Sequence, residues 1–343
     1  TQDKGGKTPV QDKEQLVVEM KTALAEAAAY CKERGVDLAA FMEAKNLDRL
    51  QRLNDAVEAV IAPDDVRKNF LAHQKLVEAL YKAVKPDKRA AQFINQVSAL
   101  ATIANEIANK TGAPVPDITN VLSDINDLLD RSIASEGFVI KAEHAPPLDL
   151  SKIDFEALAK RFGKSKTKNI DLEQLKAAIR SQLDKLVRVN RTRADYLTKF
   201  EELIESYNAG SRNIDELFKE LLALSRSLNE EQERHVRECL SEEELVVFDI
   251  LTRPAPELAP EERAEVKKVA RDMLEKLKQL LVLNWRQKAS ARSQIRLAIE
   301  DLLDQGLPRA YTPDLYQQKC SAVFEHFYEA YGDRGASIYQ AAR

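Results

Sequence analysis

The chain has 343 residues, 44% hydrophobic and 31% charged, which is the composition of a folded protein with room for two or three cores and not of a disordered chain. Fifty-two Lys and Arg stand against 56 Asp and Glu, net −4, so the chain as a whole is not a nonspecific binder of polyanions and any nucleic-acid contact must be local. No run approaches the roughly 20 apolar residues of a membrane span, so no membrane partner is expected.

Residues 1–15 open on Thr1 and are polar and irregular; they read as a flexible start or an appended remnant, with the whole resembling a piece cut from a longer chain. The string GGKTP at 5–9 ends like a phosphate loop. That motif needs another glycine where Thr1 stands, a strand before it and a helix after it, and Pro9 follows directly.

Apolar residues then recur at helical spacing. Leu16, Met20, Leu24, Ala28 and Cys31 form a stripe that stops at Gly35. Leu47, Leu50, Leu53, Val57 and Val60 form a second that stops at Pro63; Val66, Phe70, Val77, Leu80 and Val84 form a third that stops at Pro86. Proline lacks an N–H and clashes with the turn before it, so these are helix boundaries. Phe93, Leu100, Ile103 and Ile107 lead to Gly112, and Asp117 is placed to cap a run through Leu129.

Residues 134–152, with Gly137 and the pair Pro146-Pro147, form the expected linker between a helical domain at 16–133 and a second at 153–343. FVI at 138–140 is a short strand at most. Beyond the linker, Asp171 with Gln174, Asn213 with Glu216 and Ser241 with Glu244 have the spacing of capping boxes, each before an amphipathic run. Pro260 suits a first helical turn, as does Pro313 after Thr312. The expectation is an all-α fold, a multi-helix bundle in two helical subdomains with no extensive sheet.

Catalytic patterns are sparse. Glu43-Ala44-Lys45 and Glu265-Val266-Lys267 match the Glu-x-Lys of a restriction-type nuclease, but that site belongs on a strand beside an upstream acid and both tripeptides lie in helical patterns. His235 with Cys239, and Cys320 with His326, are isolated pairs where zinc wants three or four ligands. Cys31, Cys239 and Cys320 are odd in number and far apart, which suits a reducing compartment; the cytoplasm is expected.

Surfaces remain. Residues 151–200 carry net +7 and residues 201–260 net −9. Within the first, KRFGKSKTKN packs Lys160, Arg161, Lys164, Lys166 and Lys168 around Gly163 and reads as a mobile basic loop, able to hold DNA phosphates or an acidic protein face. Farther on, Trp285, the only tryptophan, is followed by Arg286, Lys288, Arg292 and Arg296 at near-helical intervals, and by Arg309 after a Gly-Leu-Pro stop. These residues either line a partner groove, where aromatics and Arg are favoured, or pack in a core beneath it.

The strings SEEELVVFDILTRPAPELAPEERAEVKKVARDMLEKLK, WRQKASARSQIRLAIEDLLDQGLPRAYTPDLYQQKC and VFEHFYEAYG resemble the C-terminal region of the restriction (R) subunit of type I restriction–modification enzymes. LSKIDFEALAKRFGKSKTKNIDLEQLKAAI and FEELIESYNAGSRNIDELF are similar to the same region, and residues 16–150 resemble the helical segment after that subunit's motor domains. The resemblance implies a parent that is an ATP-dependent site-specific deoxyribonuclease and DNA translocase using ATP and Mg²⁺. It implies that this part docks onto the methyltransferase (M) and specificity (S) subunits and reaches DNA through the parent complex. No catalytic, cofactor-binding or metal-binding residue of that family falls on these positions, so neither activity nor cofactor is expected of this chain alone.

Overall fold

A computed structural model describes residues 9–85, 87–112, 154–332 and 337–339. Among these the chain is helical throughout, without a sheet; its one β-bridge joins Tyr331 to Ser337. The all-α expectation holds. The capping helix expected after Asp117, the linker 134–152 and the strand at 138–140 lie outside the described residues, as does most of GGKTP.

Among the described residues fourteen α-helices follow one another: α1 Pro9–Glu33, α2 Leu38–Glu43, α3 Asn46–Val60, α4 Asp64–Val84, α5 Ile94–Thr111, α6 Phe155–Lys164, α7 Lys168–Val189, α8 Ala194–Asn208, α9 Ile214–Gln232, α10 Arg234–Arg237, α11 Glu242–Thr252, α12 Pro260–Leu280, α13 Ala289–Gly306 and α14 Pro313–Ala330. Their ends follow local chemistry. Asp37 accepts the Ala40 amide at the start of α2, and Gly112 ends α5 at φ 62°, in the left-handed region a glycine enters without strain. Asn213 with Glu216 and Ser241 with Glu244 form the reciprocal capping boxes expected of them. Thr312 caps α14 with Pro313 in its first turn.

Two local expectations are corrected. Asp171 does not cap a helix, because α7 already begins at Lys168, its first amides taken by a carboxylate from α3. Helix α1 begins at Pro9, inside the stretch expected to be flexible.

Packing divides the chain into two compact units, residues 1–179 with 202–222 and residues 180–201 with 223–343. This division falls within α7, α8 and α9, elsewhere than the 134–152 boundary read from the sequence. In the first unit α1 lies along α4, and α5 packs on α2, α3 and α4. Most of the stripes named above meet there, Met20, Cys31, Val57, Val60, Phe70, Leu80, Leu100 and Ile103 being almost completely buried, whereas Leu47 and Leu50 of the second stripe are exposed. Each large buried side chain contributes about 1.5–3 kcal/mol through lost apolar exposure.

A polar cluster sits in this unit. Asp64, the first residue of α4, accepts from Lys176 Nζ at 2.9 Å, from Arg67 at 2.8 Å and from Asn208 Nδ2 at 3.1 Å, while Lys176 and Arg67 also pair with Glu173. Burial alone would raise the Asp64 pKa; Lys176 and Arg67 outweigh it and hold the carboxyl below its ordinary value. A depressed carboxylate stabilises the fold above its unfolded pKa, near 4 for Asp, and that contribution fades as pH falls through the lower folded value. Asp64→Asn is therefore expected to be less stable at neutral pH and to lose less stability than the wild type between about pH 5 and pH 2. Urea denaturation across that range measures it; parallel pH profiles for the two proteins would contradict the assignment.

In the second unit α11, α12, α13 and α14 pack in sequence, and α14 closes back on α11. Leu245, Phe248, Val266, Met273, Leu277, Ile295, Ile299, Val323 and Phe327 form its core. Gly306 lets α13 approach α12 closely, since a Cβ there would meet Val269 Cγ2. Lys319 is buried and donates to the carbonyls of Ile250 and Arg253 at 2.8 and 2.7 Å, satisfying the C-terminal end of α11 with a cation where the helix dipole favours one. Burial lowers its pKa.

Candidate functional site

Two surfaces were expected to carry function, one in each unit. The first, at 160–168, is not the mobile loop read from its charge. Lys160, Arg161 and Lys164 lie in the last turns of α6, Ser165–Thr167 make a three-residue turn, and Lys168 starts α7. The reason is Phe162. It is buried and stacks on Phe218, ring centroids 3.5 Å apart at 8°, which fixes α6 on α9 and turns its other face outward. Glu58 of α3 accepts the Asn169 and Ile170 amides at 2.7 and 2.9 Å, holding the start of α7. Lys160, Arg161, Lys164 and Lys166 are exposed; Lys168 is part-buried and pairs with Asp215 at 2.7 Å.

The second surface lies around Trp285, and here the sequence reading needs correction. Trp285 is not part of the helix that carries the basic residues. Helix α12 ends at Leu280, residues 281–288 make a turn, and α13 begins at Ala289. From that turn the indole inserts fully into the core, its edge against the Tyr328 ring at 5.7 Å. Lys288, Arg292 and Arg296 do follow one another at four-residue intervals, but they do not act alike. Arg292 turns inward and donates to the Arg286 carbonyl at 2.6 Å. Arg286 lies over Tyr328, 5.4 Å from its centroid, and donates to the Glu329 carbonyl. Arg296 lies over Phe324 at 4.6 Å, and Phe324 neighbours Tyr328. Lys288 and Arg309 are exposed, the latter in the turn after α13.

Arg286 of the α12–α13 turn, Arg296 of α13 and Phe324 and Tyr328 of α14 thus come together. Tyr328 is 41% exposed, Arg296 rides on its aromatic neighbour, and Val282, Leu283 and Leu297 are each about half exposed. Exposed aromatic, Arg and aliphatic groups together are the make-up of a protein-binding patch. Sequence reading missed Tyr328 and Phe324 because they come from α14, some 30 to 40 residues beyond the basic run. It also missed a small cleft between Arg234, Arg253, Pro254, Pro256, Glu257 and Arg263. The guanidiniums there already face acids: Arg234 pairs with Glu231 and Asp249, and Arg263 with Glu238.

No cluster of three or more potential metal ligands occurs among the described residues. Cys239 is exposed, while His235 sits against the Gln232 carbonyl. His326 is held neutral by burial, its pKa pushed down to about 4, and meets the Tyr339 hydroxyl at 2.9 Å. No helix among the described residues is long and apolar enough to cross a membrane.

The pattern of one protein family, described as type I restriction enzyme HindI endonuclease subunit-like, C-terminal, matches residues 3–331. The chain belongs to this family. Among type I endonuclease subunits it is 21% identical over 276 residues to a protein of Methanocaldococcus jannaschii named as the MjaIXP endonuclease subunit, and 22% identical over 267 residues to the HindI endonuclease subunit of Haemophilus influenzae. Each match covers 76% of this chain but only 26% and 23% of those proteins, so the chain spans about a quarter of the length of the relatives it matches. No solved structure matches the chain. Membership in this family agrees with the resemblance read from the strings between residues 150 and 332.

Proposed function

We propose that this chain is a non-catalytic docking region of a type I restriction enzyme R subunit, joining the motor and nuclease parts of its parent to the M and S subunits. The parent would act in the cytoplasm as an ATP-dependent deoxyribonuclease, with ATP and Mg²⁺ bound outside this region. The observation that supports docking best is the face formed by Tyr328, Phe324, Arg296 and Arg286 with exposed Val282, Leu283 and Leu297. Its arginines lie over aromatic rings, which pre-orders them to meet carboxylates of a partner at reduced entropic cost.

The test is co-elution of the chain with its cognate M–S complex by size-exclusion chromatography with light scattering, in the absence of DNA. Tyr328→Ala combined with Arg296→Glu is expected to weaken that association by about 2 kcal/mol or more, roughly thirtyfold. Both side chains are at the surface, so the variant should fold. Wild-type affinity in a folded double variant would remove this face from the docking reading, and failure of the wild type to associate would remove docking itself.

A further inference from the structure

We infer that the α6–α7 junction is a second, independent contact site, made by Lys160, Arg161, Lys164 and Lys166 for the phosphate backbone of duplex DNA. Between Glu156 and Asp171 the chain carries five cations and no acid. Lys168 is engaged by Asp215. Arg161 has one acidic neighbour, Asp171, at 3.9 Å, and no ion pair reaches Lys160, Lys164 or Lys166 from the described residues. Four exposed cations thus crowd one turn with little to balance them.

Their placement is fixed rather than fluid. Phe162 clamps α6 from below through Phe218, and Ser165 Oγ accepts the Thr167 amide at 3.1 Å, shaping the turn. Glu58 already takes the Asn169 and Ile170 amides at the α7 N-terminus, and the Asp171 amide donates to the Thr167 carbonyl. The cationic side chains therefore make the contact, together with the hydroxyls of Ser165 and Thr167. Lys160 and Lys164, four apart on one helix, project from the same face.

The chemistry favours nucleic acid over protein. Lysine is depleted at protein interfaces, whose anchors are aromatic and Arg, whereas Lys and Arg with Ser and Thr are the usual partners of phosphate oxygens. The single aromatic of the segment, Phe162, is buried, so nothing here can stack on the unpaired bases of a single strand. The remaining fit is a duplex held by its charge, without sequence reading.

The experiment is fluorescence anisotropy of a labelled random-sequence DNA duplex with the full chain, titrated at several salt concentrations. The wild type is expected to bind with an affinity that falls about 100-fold between about 50 and about 200 mM salt, as neutralisation of about four phosphates requires. Lys160→Ala with Lys164→Ala and Lys166→Ala is expected to lower the log–log slope by about 2.7, at about 0.9 per phosphate, with unchanged thermal unfolding. The pair Lys164→Gln and Lys166→Gln serves where the triple variant folds poorly and should lower it by about 1.8. The Tyr328→Ala, Arg296→Glu variant should bind DNA as the wild type does, which separates this site from the docking face. Salt-insensitive binding, tighter binding to a single strand of equal length, or unchanged binding by the lysine variants would each overturn the proposal.

Discussion

Asp249→Ala is expected to destabilise the second unit by about 3–5 kcal/mol, the cost of breaking a buried ion pair and leaving Arg234 only the Glu231 carboxylate it shares with Arg193. Asp249 has no exposure at all, although it sits in the middle of α11. Its Oδ2 accepts from Asn190 Nδ2 at 2.7 Å and from Arg234, while Arg253 Nε stands 3.8 Å from Oδ1. Arg234 in turn shares Glu231 with Arg193, which is 1% exposed and reaches on to Glu242 at 2.7 Å. Three guanidiniums and three carboxylates therefore balance in one largely buried network, and deleting one carboxylate strands two donors in a low-dielectric site. Asp249→Asn keeps an acceptor for Asn190 and should cost less, about 1.5–3 kcal/mol for the lost charge-assisted bond. The pair Asp249→Leu with Arg234→Met removes charges of both signs and should recover part of the loss. Urea denaturation of the three variants checks the order; if Asp249→Ala proved no worse than Asp249→Asn, the buried-charge account would be wrong.

That network also marks the limit of what the sequence makes legible. Helix starts were readable because their signals are local: a Ser or Asn three residues before a Glu meets the same amides in any fold, and the Ser241 and Asn213 boxes formed accordingly. Stripes such as Met20 to Cys31 and Val266 to Leu277 were readable because burial of one helix face repeats with the helix turn. The Asp249–Arg234–Arg193 network was not, because paired charges 15 to 49 residues apart carry no sign in the sequence that they will be buried together. Charge also misled at 160–168, where a dense basic string suggested a loop; one phenylalanine finding Phe218 made it the end of a helix. The proposed docking face was half legible. Its arginines stood out, but their aromatic supports come from α14, and Trp285, the most conspicuous residue of the string, serves beneath the surface and not on it.

Trp285→Ala should destabilise the second unit by about 3–5 kcal/mol, the range for deleting a fully buried large aromatic. The indole joins the α12–α13 turn to the core of α11, α12, α13 and α14, and it backs the exposed Tyr328 ring from below. Its loss leaves a cavity that a turn held between two helices can only partly fill. One detail sharpens the prediction: Trp285 Nε1 is buried without a hydrogen-bond partner among the described residues. An unsatisfied donor already costs about 1–3 kcal/mol, so Trp285→Phe, which gives up some volume but also that donor, should lose far less than the alanine variant. Because this is the only tryptophan, its emission should be blue-shifted in the folded chain and move red in one step with urea. If Trp285→Ala and Trp285→Phe were equally destabilised, indole volume would not be what holds the turn. The docking reading adds a coupled expectation. Trp285→Phe should keep Tyr328 seated and bind the M–S complex as the wild type does, whereas Tyr328→Ala with Arg296→Glu should lose binding while keeping stability, so that support and contact separate into two measurements.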